Sequence, residues 1–503
     1  MKIVRDGDYD ILLIAEGTYP YIRGGVSSWI HQLINGLPEF NFGIVFLGSR
    51  PEDYGEMRYE LPKNLTYLYV DYLFKDSEKP PPHYIPRYKG FKAVRDLHEW
   101  FRSGSFDIPD SVKSLDFYNK VVPFENFLYS ESSWDYIQEE YTRNCPDSPF
   151  IDYFWSVRNM HTPIWRVVSV ANNVKKPKII HSPSTGYAGF LGALLHFHYH
   201  LPFILTEHGI YVRERKIDML NATWLKDNKT IFQKKLGELA YAKQMWIRFF
   251  ESLGRITYEA ANPIISLFEG ARKIQIKYGA RPERTRVIPN GVDVERLAKV
   301  RKKEIPKVVT LIGRVVPIKD IKTFIKAMKI AVDAMPDVEG WIVGPEDEDP
   351  NYAKECHILV ESLGLQDKVK FLGFQNIMDI MPKTGILTLT SISEGMPLTV
   401  IEGFAAGLPC VATDVGSCRD LIEGGSEEDK KLGRAGFVVP IANPGAAAEG
   451  YIKLLSDEET YRKCQNTAIK RVETYYTKEQ FLNSYRELYN QFLEEIREGK
   501  WQG

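Results

Sequence analysis

KVVTLIGRVVPIKD, residues 307–320, decides the fold class. A short, uninterrupted apolar and β-branched run ends in Gly313 and Arg314, and a helical pattern follows Lys319. Such a run signals a strand covered on both faces, as in a parallel sheet. The pattern repeats downstream at 338–344, 369–373, 384–391 and 408–413, with helices between. Upstream, the same grammar appears at 9–17, 42–48, 178–183, 202–209 and 262–268, with a helix from about Val26. Strands alternating with helices over both halves predict an α/β chain of two doubly wound, Rossmann-like domains.

The Pro-Asn-Gly turn in RVIPNGVDVERL, residues 286–297, marks the boundary. The expected domains are residues 1–285, residues 286–475, and a closing helix over 476–503. From about Asp71 to Thr162 the periodicity is weak and aromatics crowd in, which predicts an insertion of helices and loops. Two such domains joined by a hinge predict a crevice, with ligands beyond the carboxyl ends of the strands.

The 503 residues exceed one ordinary core. A net charge of −1 argues against a nucleic-acid partner. Cys145, Cys356, Cys410, Cys418 and Cys464 form no CxxC pair and read as reduced thiols. The run Ile11–Ala15 follows Asp6, Asp8 and Asp10 and is too short for a signal peptide. Residues 187–206 lack Asp, Glu, Lys and Arg, but His196, His198, His200 and Pro202 suit a buried helix followed by a strand. The expectation is a cytoplasmic protein, in which the sequons at Asn64, Asn221 and Asn228 are idle. The three histidines do not share one helical face, and no metal site is expected there.

SEGMPLTVIEGFAAGLP, residues 393–409, carries the strongest chemical signal. Pro397 marks a helix start, so amides of Gly395, Met396, Leu398 and Thr399 would face an anion at the positive end of a helix dipole. That is a site for a diphosphate. Glu394 lies before the helix and Glu402 a turn or more inside it; two acceptors so placed suit hydroxyls of two sugars. In Gly313–Asp320, Arg314 and Lys319 would stabilise the charge of a departing nucleoside diphosphate without a metal. Strand-end loops with Gly344, Phe371 and Gly373 would frame a base, although 343–350 also reads as an acidic surface loop. Asn290 in the Pro-Asn-Gly turn completes this group.

In the first half, Gly24 and Gly25 stand between a strand and a helix, where backbone can approach a ligand. TEHGIYVRER, residues 206–215, offers His208 for a sugar hydroxyl or acid–base work, and Arg213 and Arg215 for phosphate or for solvent. Neither GxGxxG nor GxxxxGK[ST] occurs.

The pairing of GRVVPIKD with SEGMPLTVIE resembles the retaining family-4 glycosyltransferases of GT-B fold. AEGTYPYIRGGVSSWIHQLI and EHGIYVRER are similar to the PelF-type enzymes of Pel exopolysaccharide biosynthesis. The resemblance implies Arg314 and Lys319 as diphosphate ligands, Glu394 on the donor sugar and Glu402 on the ribose. It places Gly24 and Gly25 by the phosphates and acceptor, and His208 by the sugar. It further implies UDP-glucose as donor, a growing polysaccharide as acceptor, no cofactor or essential metal, and retention by same-face attack. A final helix crossing back to the first domain and a partnership with an inner-membrane Pel synthase complex are implied as well. Two alternatives share the architecture: a UDP-sugar epimerase, and a non-catalytic UDP-sugar-binding scaffold.

Overall fold

Ile11–Glu16 has five fully covered residues in succession, and its neighbours in the sheet are equally apolar. Continuous burial of this kind requires cover on both faces, and helices supply it. The computed structural model describes residues 2–74, 85–86, 89–145, 149–222 and 241–501; the sequon at Asn228 and parts of the expected insertion lie outside them. The chain divides into two compact units. Unit 1 holds residues 1–266, 272–287 and 486–503; unit 2 holds 267–271 and 288–485. The last helix, Lys478–Arg497, thus contributes residues to both.

Unit 1 contains an eight-stranded sheet. Its strands are β1 (Lys2–Asp6), β2 (Ile11–Glu16), β3 (Phe42–Gly48), β4 (Leu65–Tyr72), β5 (Ile179–Ser182), β6 (Phe203–Glu207), β7 (Ile264–Ser266) and β8 (Thr285–Val287). The order is β1-β4-β3-β2-β5-β6-β7-β8, parallel throughout except for β1 against β4. The order reverses between β2 and β5, which makes their carboxyl ends the switch point of this sheet.

Helix Gly186–Tyr199 is buried on every side from Gly186 to Leu195, which explains its membrane-like composition. It ends at His200 in the left-handed region, and β6 follows, as the histidines and Pro202 predict. Among the described residues no helix is long and apolar enough to cross a membrane. The aromatic stretch folds as helices, chiefly Lys92–Ser103, Glu131–Asn144 and Phe150–Asn173. Their contacts are largely ring on ring: Phe127 stacks on Trp165 at 4.2 Å, and Tyr118 meets Trp165 edge-on at 5.7 Å.

Unit 2 contains β9 (Val308–Ile312), β10 (Glu339–Val343), β11 (Val369–Gly373), β12 (Ile386–Leu389), β13 (Cys410–Thr413) and β14 (Gly436–Val439). All are parallel, in the order β11-β10-β9-β12-β13-β14. Two apolar clusters fill this unit, one including Phe324, Met328 and Tyr451, the other including Val400, Phe404 and Leu421. All five cysteines are buried and unbridged, as their spacing predicts.

Candidate active site

The order of the second sheet reverses between β9 and β12, and the loops after those two strands are neighbours. The β9 loop carries Arg314 and Lys319; the β12 loop carries Glu394. Lys319 Nζ meets Glu394 Oε1 at 2.5 Å, and Ser391 Oγ donates to the same oxygen at 2.6 Å. The pair is largely covered, with side chains 22% and 12% exposed. Thus the cation expected on a phosphate and the carboxylate expected on a sugar hold each other. Arg314 stands outside that contact: it is half exposed and paired with Glu348 of the acidic loop. An exposed pair of this sort stabilises the fold by only about 0–1 kcal/mol, so an incoming dianion can take the guanidinium from it.

Helix Leu398–Ala405 starts at Pro397 and has no capping side chain. Leu398 and Thr399 are half-buried at its first turn, and Met396 is buried beneath it. The Met396 sulfur accepts the backbone N–H of Asn290 at 3.4 Å. Asn290 is buried, and its side-chain oxygen has no hydrogen-bond partner. A buried acceptor without a partner thus lies beside an uncapped helix start, and both are groups that a ligand's polar atoms can satisfy.

Glu402 lies in the second turn of the same helix. Burial pushes its carboxyl up to about 7, and the Arg296 charge opposes the shift. A carboxyl whose folded value is raised holds its proton longer than the unfolded chain does. Its contribution to stability is therefore full below the ordinary glutamate range and falls as pH rises toward 7.

The base-framing residues divide. Phe371 is half-buried with its ring 3.9 Å from the His357 ring, and His357 in turn bonds Glu346 at 2.7 Å. Gly373 turns at φ +64 with open space around its Cα. Gly344, by contrast, is buried, and a Cβ there would meet the Gly313 carbonyl oxygen at 1.9 Å. Its N–H donates to Gly373 and that of Gly313 donates to Val343, so these amides extend the sheet and are not offered to a ligand. At Gly344 close packing of strand ends leaves no room for a side chain, and the amides of both glycines are spent on the sheet.

A third loop, after β13, escapes the sequence reading. Gly416 has φ +54, and any side chain would strike the Gly395 and Glu394 carbonyls at 2.2 and 2.5 Å. Ser417 donates its N–H to Gly395 O at 2.9 Å, and its buried hydroxyl has no partner. The signal in the chain is strand, Asp-Val-Gly-Ser, helix: the same punctuation as at Gly24 and Gly25.

In unit 1, Gly24 and Gly25 are exposed at the start of helix Gly25–Gly36, and a Cβ on either would meet nothing within 4 Å. Arg213 is exposed in the first turn of helix Tyr211–Asn221. Arg215 is held by Asp218 at 3.3 Å and lies over the Tyr211 ring. His208 meets the Trp29 ring edge-on at 4.8 Å, and its Nε2 is buried without a partner. Burial pushes the imidazole down to about 3. It is neutral at physiological pH, which suits a hydrogen bond to a hydroxyl.

Two further carboxylates lie at strand ends here. Glu16, at the end of β2, accepts the Ala188 N–H and the Tyr211 hydroxyl, each at 2.9 Å. Glu207, beside His208, accepts from Tyr258 at 2.7 Å, Gln275 at 3.1 Å, and Thr185 and the Tyr211 N–H at 3.2 Å. Burial raises it to about 7 while these four donors pull the other way. Four donors around one acid fix its loop, and with it His208. Among the described residues no group of three or more His, Cys, Asp or Glu could hold a metal ion.

Residues 9–283 match the family described as a domain of unknown function, DUF3492. The chain belongs to the DUF3492 family. Residues 294–471 of this DUF3492 protein match a second family, glycosyl transferases group 1, and hold the whole Lys319–Glu394 arrangement. Among curated relatives, N-acetyl-alpha-D-glucosaminyl L-malate synthase of Bacillus anthracis is 29% identical over 28% of this chain and 35% of its own. UDP-Gal:alpha-D-GlcNAc-diphosphoundecaprenol alpha-1,3-galactosyltransferase of Escherichia coli is 26% identical over 51% of this chain and 63% of its own. The chain therefore spans less than two thirds of the length of either. In three dimensions it is similar to Anabaena Alr3699/HepE in complex with UDP and glucose, with TM-score 0.56, 15% identity, and 96% and 99% of the two chains covered. Sucrose-phosphate synthase from Thermosynechococcus elongatus gives TM-score 0.57, 16% identity, and 97% and 100% covered. The two parallel-sheet units and these neighbours establish the GT-B fold.

Proposed function

We propose that this DUF3492 protein is a retaining hexosyltransferase that moves a sugar from a UDP-sugar, UDP-glucose by preference, to a growing exopolysaccharide of the Pel type. The observation that carries the reading is the Lys319–Glu394 contact at the switch point of unit 2, beside an uncapped helix start. The match of this segment to group 1 glycosyl transferases supports it, as does UDP in the HepE complexes. In the reaction, the acceptor oxygen bonds to the anomeric carbon on the face the phosphate leaves. The bond from that carbon to the phosphate oxygen breaks, and the acceptor proton passes to the departing UDP. Lys319, Arg314 and the backbone N–H groups of Gly395, Met396, Leu398 and Thr399 bear the growing negative charge. Glu394 holds the donor sugar, Glu402 the ribose, and Phe371 with Asn290 the rest of the nucleotide. Gly24 and Gly25 lie by the phosphates and acceptor, His208 by the donor sugar, and Arg213 by phosphate. No metal or cofactor takes part, the enzyme works in the cytoplasm, and recruitment to an inner-membrane synthase complex delivers the product.

Calorimetric titration with UDP-glucose, UDP-galactose, UDP-N-acetylhexosamines, GDP-mannose and ADP-glucose tests the reading. One UDP-sugar binds selectively, and Arg314→Ala weakens it by about tenfold or more. Silence toward every donor would reject the assignment of unit 2; free epimerised nucleotide sugar without acceptor would favour an epimerase.

Glu402 supplies a second test. A ribose hydroxyl donating to the carboxylate favours the ionised form, so binding at a pH just below the raised value of about 7 releases a proton from this group. Donor affinity falls as pH drops below that value, and titration in buffers of different ionisation enthalpy reads the released proton. Glu402→Gln flattens the profile; a profile unchanged by that substitution would remove Glu402 from the nucleotide.

A further inference from the structure

Two hydroxyl residues follow β12, and only Ser391 touches the charged pair, through Glu394. Thr390 is buried and turns instead to the loop after β9. Its hydroxyl lies 3.0 Å from the carbonyl oxygens of both Lys319 and Asp320, so its one proton is shared in a three-centre bond. Two residues on, the Ile392 N–H donates to the Ile318 carbonyl at 2.8 Å. The β12 loop thus holds three successive carbonyls of the β9 loop, Ile318 through Asp320. It is anchored from the other side by Thr413, at the end of β13, whose hydroxyl donates to the Ser391 carbonyl at 2.7 Å.

The backbone held in this way needs holding. Asp320 has φ +45 and ψ 54, in the left-handed region that residues with a Cβ avoid. Its carboxylate offsets part of that cost by accepting the Thr323 N–H at 3.2 Å, which caps helix Ile321–Ala334. Lys319 stands immediately before this turn. Its methylenes lie over Gly313, where a Cβ would touch Cγ, Cδ and Cε at 3.6–3.9 Å, and its Nζ ends on Glu394. A flexible four-carbon stem reaches one carboxylate reproducibly only when its own Cα is fixed. Ser391 fixes the far end of the contact by way of Glu394, and Thr390 fixes the near end by way of the Lys319 backbone.

We propose that Thr390 is a positioning residue for sugar transfer: its hydroxyl pins the β9 loop so that Lys319 meets Glu394 and the leaving phosphate. It touches neither donor nor acceptor and acts through Lys319 alone. The effect on transfer rests on the reading of unit 2 as the donor site; the pinning of Lys319 does not. A misplacement of about 1 Å at a group that meets the reacting atoms costs up to about a hundredfold in rate, so one buried hydroxyl behind the contact has a measurable share.

The test uses the full chain and compares Thr390→Val, which keeps the shape and removes the hydroxyl, with Thr390→Ser, which keeps the hydroxyl. Limiting acetic anhydride, read by mass spectrometry of the Lys319 peptide, reports how firmly Nζ is held and needs no donor. Lys319 is acetylated about fivefold faster in Thr390→Val than in the wild type, the factor expected from one lost hydrogen bond, and Thr390→Ser restores the slow rate. In transfer assays Thr390→Val lowers kcat by about tenfold and leaves the donor KM within about twofold. That fall disappears when Lys319 is already alanine, because a residue that acts through Lys319 then has nothing to position. Equal acetylation of Lys319 in Thr390→Val and the wild type would overturn the inference. So would a fall in kcat that persists in full on the Lys319→Ala background, which marks a general loosening of unit 2. A wild-type chain that binds no nucleotide sugar rejects the proposed function instead, and the acetylation rates still decide whether Thr390 holds Lys319.

Discussion

Replacing Lys319 by alanine lowers the rate of sugar transfer by about two to three orders of magnitude, with a smaller rise in KM. The size follows from removing one preorganised charge that meets the leaving group, an effect of about 3–4 kcal/mol on the transition state. The charge is preorganised because Glu394 and Ser391 hold both ends of the contact before substrate arrives. Glu394→Gln gives a comparable loss through the donor sugar, since an amide matches the carboxylate in shape but not as an acceptor from two hydroxyls. Neither substitution should unfold unit 2: the pair is partly exposed, and its loss costs about 1–3 kcal/mol of stability. Single-turnover rates with saturating donor separate chemistry from binding. A Lys319→Ala enzyme with wild-type turnover would leave the contact as a structural ion pair and nothing more.

That contact spans 75 residues of sequence, and here the limits of reading a chain in order become concrete. The apolar runs and their Gly and Pro boundaries place β2, β3, β6, β9, β11 and β12 well, because each shows its cover in its composition. β1 and β8 are largely exposed and three to five residues long, so no apolar run betrays them. The motifs around Lys319 and Glu394 are each visible, but their adjacency comes from β9 lying beside β12 while β10 and β11 go to the other side. The loop at Gly416 reaches Gly395 for the same reason, since β13 borders β12. Glu207 belongs to the visible motif TEHGIYVRER, yet only the fold reveals that Tyr258 and Gln275, far along the chain, converge on it. Glycine is an ambiguous guide: at Gly344 close backbone packing by itself already requires the missing side chain.

Arg471→Met unfolds the protein more readily than any substitution at the candidate site, at a cost of about 3–5 kcal/mol. The guanidinium is wholly buried in helix Glu458–Tyr475 and donates to five acceptors. Nε meets Asp429 Oδ1 at 2.5 Å; the terminal nitrogens reach the carbonyls of Leu421, Ile422, Asp429 and Gly433 at 2.7–3.1 Å. Methionine fills the space but leaves four carbonyls and a buried carboxylate short of donors. Asp429 keeps the Gly425 N–H on its other oxygen. The consequence reaches the site, because Leu421 and Ile422 belong to helix Cys418–Glu423, and Ser417 at its start holds the Gly395 carbonyl. Donor affinity should therefore weaken in Arg471→Met even at temperatures where the chain is folded. Urea denaturation followed by fluorescence measures the stability, and donor titration below the transition measures the coupling. Pairing the change with Asp429→Leu recovers part of the lost stability, since an apolar pair strands no charge. A single substitution that costs under about 1 kcal/mol would mean that water or a rearranged helix satisfies those carbonyls, and that the clamp does not set the geometry at Gly395.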